Sequence, residues 1–296
     1  MTFRPITRDD YEAVLALLNA DEELMFAQPA RRTLADLDQW LGRCDLVADT
    51  WLLADEQGPL AVGWSDAHGD VAVAAGAVHP RAKGRGLGPQ LVDRSEAWTR
   101  ARGLRRLHQV SFGDPAATTL YLARGYHEVR RFYEMAIELE DEPPAPSLPD
   151  GLEPESLREE DARPFFDALE EAFADHWEHH PRQFEDWWPL YRASTNFDPT
   201  LWFLVRDGGE VAAVARCEAN RNGGGYVGHL GVRRRWRGRG LGRALLRHAF
   251  RELWARGICR VTLGVDAASP TGATKLYESV GMTVEQEHVV YEKNVA

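Results

Sequence analysis

Apolar positions along this chain recur in two alternating rhythms, one helical and one strand-like. Thr7-x-x-Asp10 reads as a capping box, and Leu15, Leu17 and Leu18 behind it supply one apolar helix face. Runs rich in β-branched and aromatic residues near 50–54, 60–64 and 71–78, and again near 201–206, 211–217 and 226–232, predict strands. A longer helix follows each set. In the later one Leu241, Leu245, Phe250, Leu253 and Trp254 share a face and Gly257 stands where a C-terminal cap belongs; Leu87, Leu91, Ser95, Trp98 and Gly103 repeat the pattern earlier. A further strand at 105–111 or 260–265 precedes a short helix opening at Asp114-Pro115 or Ser269-Pro270, a capping side chain before a proline. Strands alternating with helices predict an α/β fold.

The two halves are copies. Val78-His-Pro-Arg-Ala-Lys-Gly-Arg-Gly-Leu-Gly matches Val232-Arg-Arg-Arg-Trp-Arg-Gly-Arg-Gly-Leu-Gly, and Leu120-Tyr121-Leu-Ala-Arg-Gly125 matches Leu276-Tyr277-Glu-Ser-Val-Gly281 in the same order and at like spacing. Between them, 141–151 carries four prolines and no hydrophobic period, which predicts a linker. The expected domains are therefore 1–140 and 152–296, each long enough to bury its own core.

Composition narrows the function. With 44% hydrophobic and 27% charged residues the chain has the make-up of a folded soluble protein. No apolar run approaches the ~20 residues that span a bilayer, and acidic residues occupy the place of a signal peptide's apolar stretch; a cytoplasmic protein with no membrane partner is expected. A formal net charge of −11 argues against nucleic acid as a partner, because gripping a phosphate backbone needs a positive field. Cys44, Cys217 and Cys259 lack metal or redox spacing and read as reduced thiols, and no metal site is expected.

Against this acidic background the segment 235–243 is basic and glycine-rich, and lies between a strand and a long helix. The first amides of a helix have no partner within it and attract negative charge, and glycines let backbone approach a ligand closely. The spacing excludes a phosphate-binding P-loop and a dinucleotide fingerprint, since the glycines fall at 238, 240 and 242. The implied ligand is another small anion.

Arg235-x-x-Gly238-x-Gly240 and Arg81-x-x-Gly84-x-Gly86 resemble the acetyl-CoA signature of the GCN5-related N-acetyltransferase (GNAT) family, and the two Leu-Tyr-x-x-x-Gly segments resemble a later motif of that family. The tandem layout is similar to that of the mycothiol synthases. This resemblance implies two domains, each with a mixed, mostly antiparallel central sheet flanked by helices. It implies acetyl-CoA as cofactor, held in the second copy by Arg237, Gly238, Arg239, Gly240, Leu241, Gly242 and Arg243, with Leu230, Gly231 and Val232 on a strand that splays open for pantetheine and acetyl. In the first copy the matching residues are Val78, Lys83, Gly84, Arg85, Gly86, Leu87 and Gly88.

The resemblance further implies a primary amine attacking the thioester directly, an oxyanion donor near Leu230, and Tyr277 as the acid that protonates the leaving thiolate. Glu218 and His229, near the strand opening, are the candidate bases; Tyr226 takes the place where the mycothiol synthases are expected to carry a glutamate. Asp175, His176 and Trp177 begin an aromatic and titratable stretch, continued by His179, His180, Trp187 and Trp188, that is expected to face the acceptor, a small-molecule amine. Lys83 for Arg237 and Pro89 for Arg243, a proline having no amide to offer, predict a weaker anion cradle in the first copy and chemistry in the second. Acetylation of a protein amine, or an acyl-CoA-binding sensor without transfer, remain open on these residues.

Overall fold

The computed structural model describes residues 2–25, 32–149, 151–221 and 223–295; Asp150, in the expected linker, lies outside them. The elements in chain order are α1 (Tyr11–Met25), α2 (Leu34–Leu41), α3 (Leu46–Asp49), β1 (Thr50–Asp55), β2 (Gly58–His68), β3 (Val71–Val78), α4 (Leu87–Ala101), β4 (Arg106–Ser111), α5 (Pro115–Ala123) and β5 (His127–Glu138). They continue with β6 (Pro154–Ser156), α6 (Ala162–Phe173), α7 (Phe184–Arg192), β7 (Trp202–Asp207), β8 (Glu210–Arg221), β9 (Gly224–Val232), α8 (Leu241–Trp254), β10 (Arg260–Asp266), α9 (Ala273–Glu278) and β11 (Thr283–Asn294). No helix among the described residues is long and apolar enough to cross a membrane.

The chain forms two compact units, one of Met1–Arg131 with Gln286–Ala296 and the other of Phe132–Glu285. In the first, β1, β2 and β3 run antiparallel, β3 pairs parallel with β4, and β4 pairs antiparallel with the last strand, β11. In the second, β6 to β9 run antiparallel, β9 pairs parallel with β10, and β10 pairs antiparallel with β5. Each unit is thus a mixed, mostly antiparallel sheet with helices packed on it. The closing strand of each comes from the other copy in the sequence, so the compact units and the sequence repeats are bounded differently.

The side chains account for this exchange. β5 and β11 are equivalent in the repeat and take equivalent registers, Arg260 opposite Glu138 and Arg106 opposite Asn294. In the first unit Glu292 accepts from Arg106 and lies 2.8 Å from His108 Nε2, while Lys293 Nζ donates to the buried Glu96 carboxylate at 2.8 Å. β5 in that place would set Ala136 and Ile137 at those two positions, taking the Lys293 cation from the buried Glu96 and the Glu292 carboxylate from Arg106 and His108, at substantial cost.

Local readings hold where the signal is local. Thr7 N–H donates to the Asp10 carboxylate at 2.8 Å, and Val14, Leu17 and Leu18 enter the core while Leu15 is only half-buried. Asp114 caps α5 by accepting from Ala116 N–H at 2.7 Å. Its expected counterpart does not form: α9 starts at Ala273 behind Gly272 in the left-handed region, because 267–272 makes turns in which Asp266 accepts from Ala268 N–H and Ser269 bonds Thr271. In the second unit Leu241, Leu245, Phe250 and Leu253 of α8 pack with Phe203, Val261 and Leu263, and a separate aromatic cluster sets Phe165 and Trp187 against Trp202. Trp187 is therefore core, not a substrate wall.

Candidate active site

β9 and β10 are hydrogen-bonded as parallel neighbours only at Gly225–Val261 and Tyr226–Thr262, although β9 runs on to Val232 and β10 to Asp266. Beyond that point the strands part, and a cavity of about 620 Å³ opens beside Leu230, Gly231 and Val232. Gly231 is fixed by packing, since a Cβ there would lie 2.8 Å from the Cβ of Ala172 in α6.

At the cavity's basic end Gly238 (φ 78°) and Gly240 (φ 83°) occupy the left-handed region, which side-chain-bearing residues rarely adopt, and turn the chain into α8. The first intrahelical bond runs from Ala244 N–H to the Gly240 carbonyl, so the amides of Leu241, Gly242 and Arg243 have no helical partner and face the cavity end. A Cβ on Gly242 would lie 3.3 Å from Leu276, so this glycine also seats α8 on α9.

The arginines divide by their partners. Arg235 pairs with Glu210 at 3.2 Å and stacks over Trp236, and Arg239 pairs with Asp207 at 2.7 Å; neither lines the cavity. Arg237 lines it and donates to the carbonyls of Val232 and Ala172, both at 3.2 Å, tying the end of β9 to the end of α6. Arg243 lines it and has no hydrogen bond or ion pair among the described residues.

Tyr277, on α9, lies across the cavity at 8% exposure, and burial pushes its phenol up to about 12. Leu230, Gly231, Val232, Arg237, Gly238, Gly240, Leu241, Gly242, Arg243, His176 and Tyr277 are therefore brought together around one space, and Arg239 is not. Asp175 and Trp177 also lie off it: Asp175 is bound to Arg234 at 2.6 Å, which holds its carboxyl below the usual range, and the Trp177 ring packs 6.1 Å from Phe132.

The structure places Glu218 and His229 elsewhere, around a residue that sequence reasoning missed. Arg216, 4% exposed, donates from Nη1 to Glu218 at 2.5 Å and from Nε to His229 Nδ1 at 3.0 Å, with its guanidinium over the rings of Tyr191 and Trp202. Asn196 donates to the other Glu218 oxygen at 3.3 Å, and Arg221 lies 3.6 Å from the carboxylate. Glu218 is locked between cations. His229 accepts at Nδ1, so its neutral ring carries its proton on Nε2, and burial followed by the Arg216 charge pushes it well below the usual imidazole range. Neither side chain lines the cavity, so the geometry does not support either as the base. The available signal was a lone arginine within the apolar alternation of 211–217.

The first unit has the same plan and different charges. β3 and β4 pair only from Val71–Arg106 to Ala74–Gln109, and a cavity of about 390 Å³ follows, lined by Val78, Lys83, Gly84, Gly86, Leu87, Gly88 and Tyr121 but not Arg85. Its cation is already matched: Lys83 Nζ lies 2.8 Å from Asp21 and 3.7 Å from Asp114, both of which line the same space. In the repeat Asp21 corresponds to Asp175, whose charge Arg234 takes in the second unit; Pro80 stands at the equivalent of Arg234 and leaves Asp21 to Lys83.

A split parallel pair, a glycine turn into a helix with bare amides, and a tyrosine across the opening define an acyl-CoA-dependent acyltransferase of the α/β class. Residues 12–126 and 155–282 both match the Acetyltransferase (GNAT) family, and the chain belongs to it; it is an acetyl-CoA-dependent N-acetyltransferase. Among its relatives, the mycothiol acetyltransferase of Thermobispora bispora is 35% identical over 228 residues (73% of this chain, 74% of that protein) and that of Thermobifida fusca 32% over 264 residues (80% of each). A GCN5-related N-acetyltransferase from Sphaerobacter thermophilus superimposes with a TM-score of 0.85 at 30% identity, covering 99% of this chain and 95% of that one. A tandem GNAT protein from the clavulanic acid biosynthesis pathway shares the fold, with a TM-score of 0.76 at 15% identity over 99% and 98% of the two chains.

Proposed function

We propose that the second unit transfers an acetyl group from acetyl-CoA to a primary amine of a small molecule by direct attack within a ternary complex. The observation that carries this reading is the single cavity with an uncommitted cation and bare helix-start amides at one end and a buried phenol at the other. The amides of 241–243 and the Arg243 guanidinium would hold the diphosphate, and open space beside Gly238 and Gly240 lets it approach the backbone. Pantetheine would follow the gap between β9 and β10, bringing the thioester to Leu230.

The protein then positions and polarises. Holding amine and thioester in one enclosed space replaces a bimolecular encounter. A β9 amide near Leu230, freed where β10 has moved away, donates to the oxygen that gains charge as the N–C bond forms. As the C–S bond breaks, the Tyr277 phenol gives its proton to the thiolate. The first unit, with Lys83 matched by Asp21 and Asp114 and with Pro89 in place of an amide, acts as a structural or low-activity partner.

Mycothiol-related amines, suggested by the names of the relatives, are the first acceptors to assay. Tyr226, stacked under Arg221 at 4.1 Å beside Glu218, stands where the mycothiol synthases are expected to carry a glutamate, and it does not line the cavity. Arg243→Ala should raise the acetyl-CoA Kd about tenfold, with a weakened salt dependence, by isothermal calorimetry. Lys83→Ala should leave that Kd within about twofold. Wild-type protein without measurable affinity for acetyl-CoA would overturn the whole reading.

A further inference from the structure

With Glu218 and His229 enclosed in the Arg216 network, the cavity needs another group to accept the proton of an incoming ammonium. His176 lines the cavity with Leu230, Gly231 and Tyr277. It sits in the turn after α6, fixed on both sides by backbone bonds: its N–H donates to the Phe173 carbonyl at 2.9 Å and its own carbonyl accepts from His179 at 3.1 Å. Glu178 in the same turn has φ 52°, the one residue other than glycine in the left-handed region among the described residues, a strained backbone of the kind that persists where surrounding structure holds it.

The ring packs at a tilt against Phe173 with centroids 4.3 Å apart, and among the described residues neither ring nitrogen makes a hydrogen bond. The charged and titratable groups around it are Asp266 at the end of β10, Asp175 and His179 on its own segment, Arg237 of the glycine turn, and His229 of β9 on the other contact of the Phe173 ring. Desolvation outweighs the carboxylates and holds the imidazole below its ordinary range, neutral at pH 7 and ready to accept.

We propose that His176 is the general base of the transfer, its unengaged ring nitrogen taking the proton from the acceptor ammonium inside the second unit's cavity. This rests on the reading that this cavity holds the thioester. The balance is complete. The ammonium gives one proton to His176, which releases it to solvent; the amine lone pair forms the N–C bond; the C–S bond breaks; Tyr277 protonates the thiolate; and the second nitrogen proton returns through water to the Tyr277 phenolate. Amide, free coenzyme A and one proton result.

The test uses the full chain with ethanolamine, protonated at neutral pH, and hydroxylamine, already largely unprotonated there, following thiol release above the uncatalysed blank. His176→Gln should lose about 100-fold in kcat with ethanolamine and only a few-fold with hydroxylamine, with acetyl-CoA affinity unchanged by calorimetry. Imidazole added to His176→Ala should restore part of the ethanolamine rate. Equal losses with both amines, or undiminished ethanolamine turnover, overturn the proposal. So does an NMR titration, with the signal assigned by its absence from His176→Gln, that finds the ring protonated at pH 7. Failure of the wild type to bind acetyl-CoA is a separate result and sinks the underlying reading instead.

Discussion

Replacing Tyr277 by Phe is expected to lower kcat by about 100-fold or more while leaving the acetyl-CoA Kd unchanged. The substitution removes a proton donor and little else. The ring is buried in the core of the second unit and, among the described residues, its hydroxyl makes no hydrogen bond, so packing survives. Burial disfavours the phenolate and holds the group up to about 12, so the acid form persists through the neutral range. On the basic side, kcat should accordingly show no loss from this group until the pH nears that value. Tyr121→Phe should change kcat less than about twofold, because its ring packs with Tyr126 and Tyr291 in a unit assigned a structural role. Full turnover in Tyr277→Phe, or loss in Tyr121→Phe instead, would reverse the assignment of chemistry to the second unit.

A chain ending at Glu285 should lose the first unit and keep the second. The deleted segment supplies Val289, Val290, Tyr291 and Val295, all 9% exposed or less, and burial of such side chains is worth about 1.5–3 kcal/mol each. Their sum, about 6–12 kcal/mol, is comparable with the ~5–15 kcal/mol stability of a whole domain. Loss of Glu292 and Lys293 also strips partners from His108 and Glu96. In hydrogen exchange, β4 should lose protection while β9 and α8 retain theirs. Unchanged protection at 106–111 would show that the exchanged strand is dispensable.

How far the site could be read in advance follows from the range of the interactions involved. The glycine turn was legible because Gly238, Gly240 and the amides after them take a local backbone geometry at a strand-to-helix junction, and the spacing of glycines carries that information. The place of Tyr277 on the same cavity was legible through its repeated motif. The surroundings of Glu218 and His229 were not. Glu218 and His229 sit on neighbouring strands, and their roles depend on Arg216 reaching between them. A buried cation holds both in fixed states, and nothing in the spacing of 216, 218 and 229 announces which side chains point at one another. The aromatic stretch divided in the same way: Trp187 went to the core, Trp177 to Phe132, and His176 alone of the three expected acceptor-facing residues to the cavity.

By itself the sequence determined two copies of an α/β unit, the alternation of strand and helix within each, and a glycine turn opening a helix with bare amides in each, because caps, periodicity and helix starts are properties of short segments. Tertiary structure alone decided which final strand closes which sheet, since β5 and β11 fit the same register and partners distant in sequence, Glu96, Arg106 and His108 among them, distinguish them. It also decided which cations remain free to meet a ligand. Lys83 and Arg243 are each a cation beside a glycine turn, at different positions of the repeat, but one faces Asp21 across its own cavity and the other faces open space, and charge acts through distance in three dimensions.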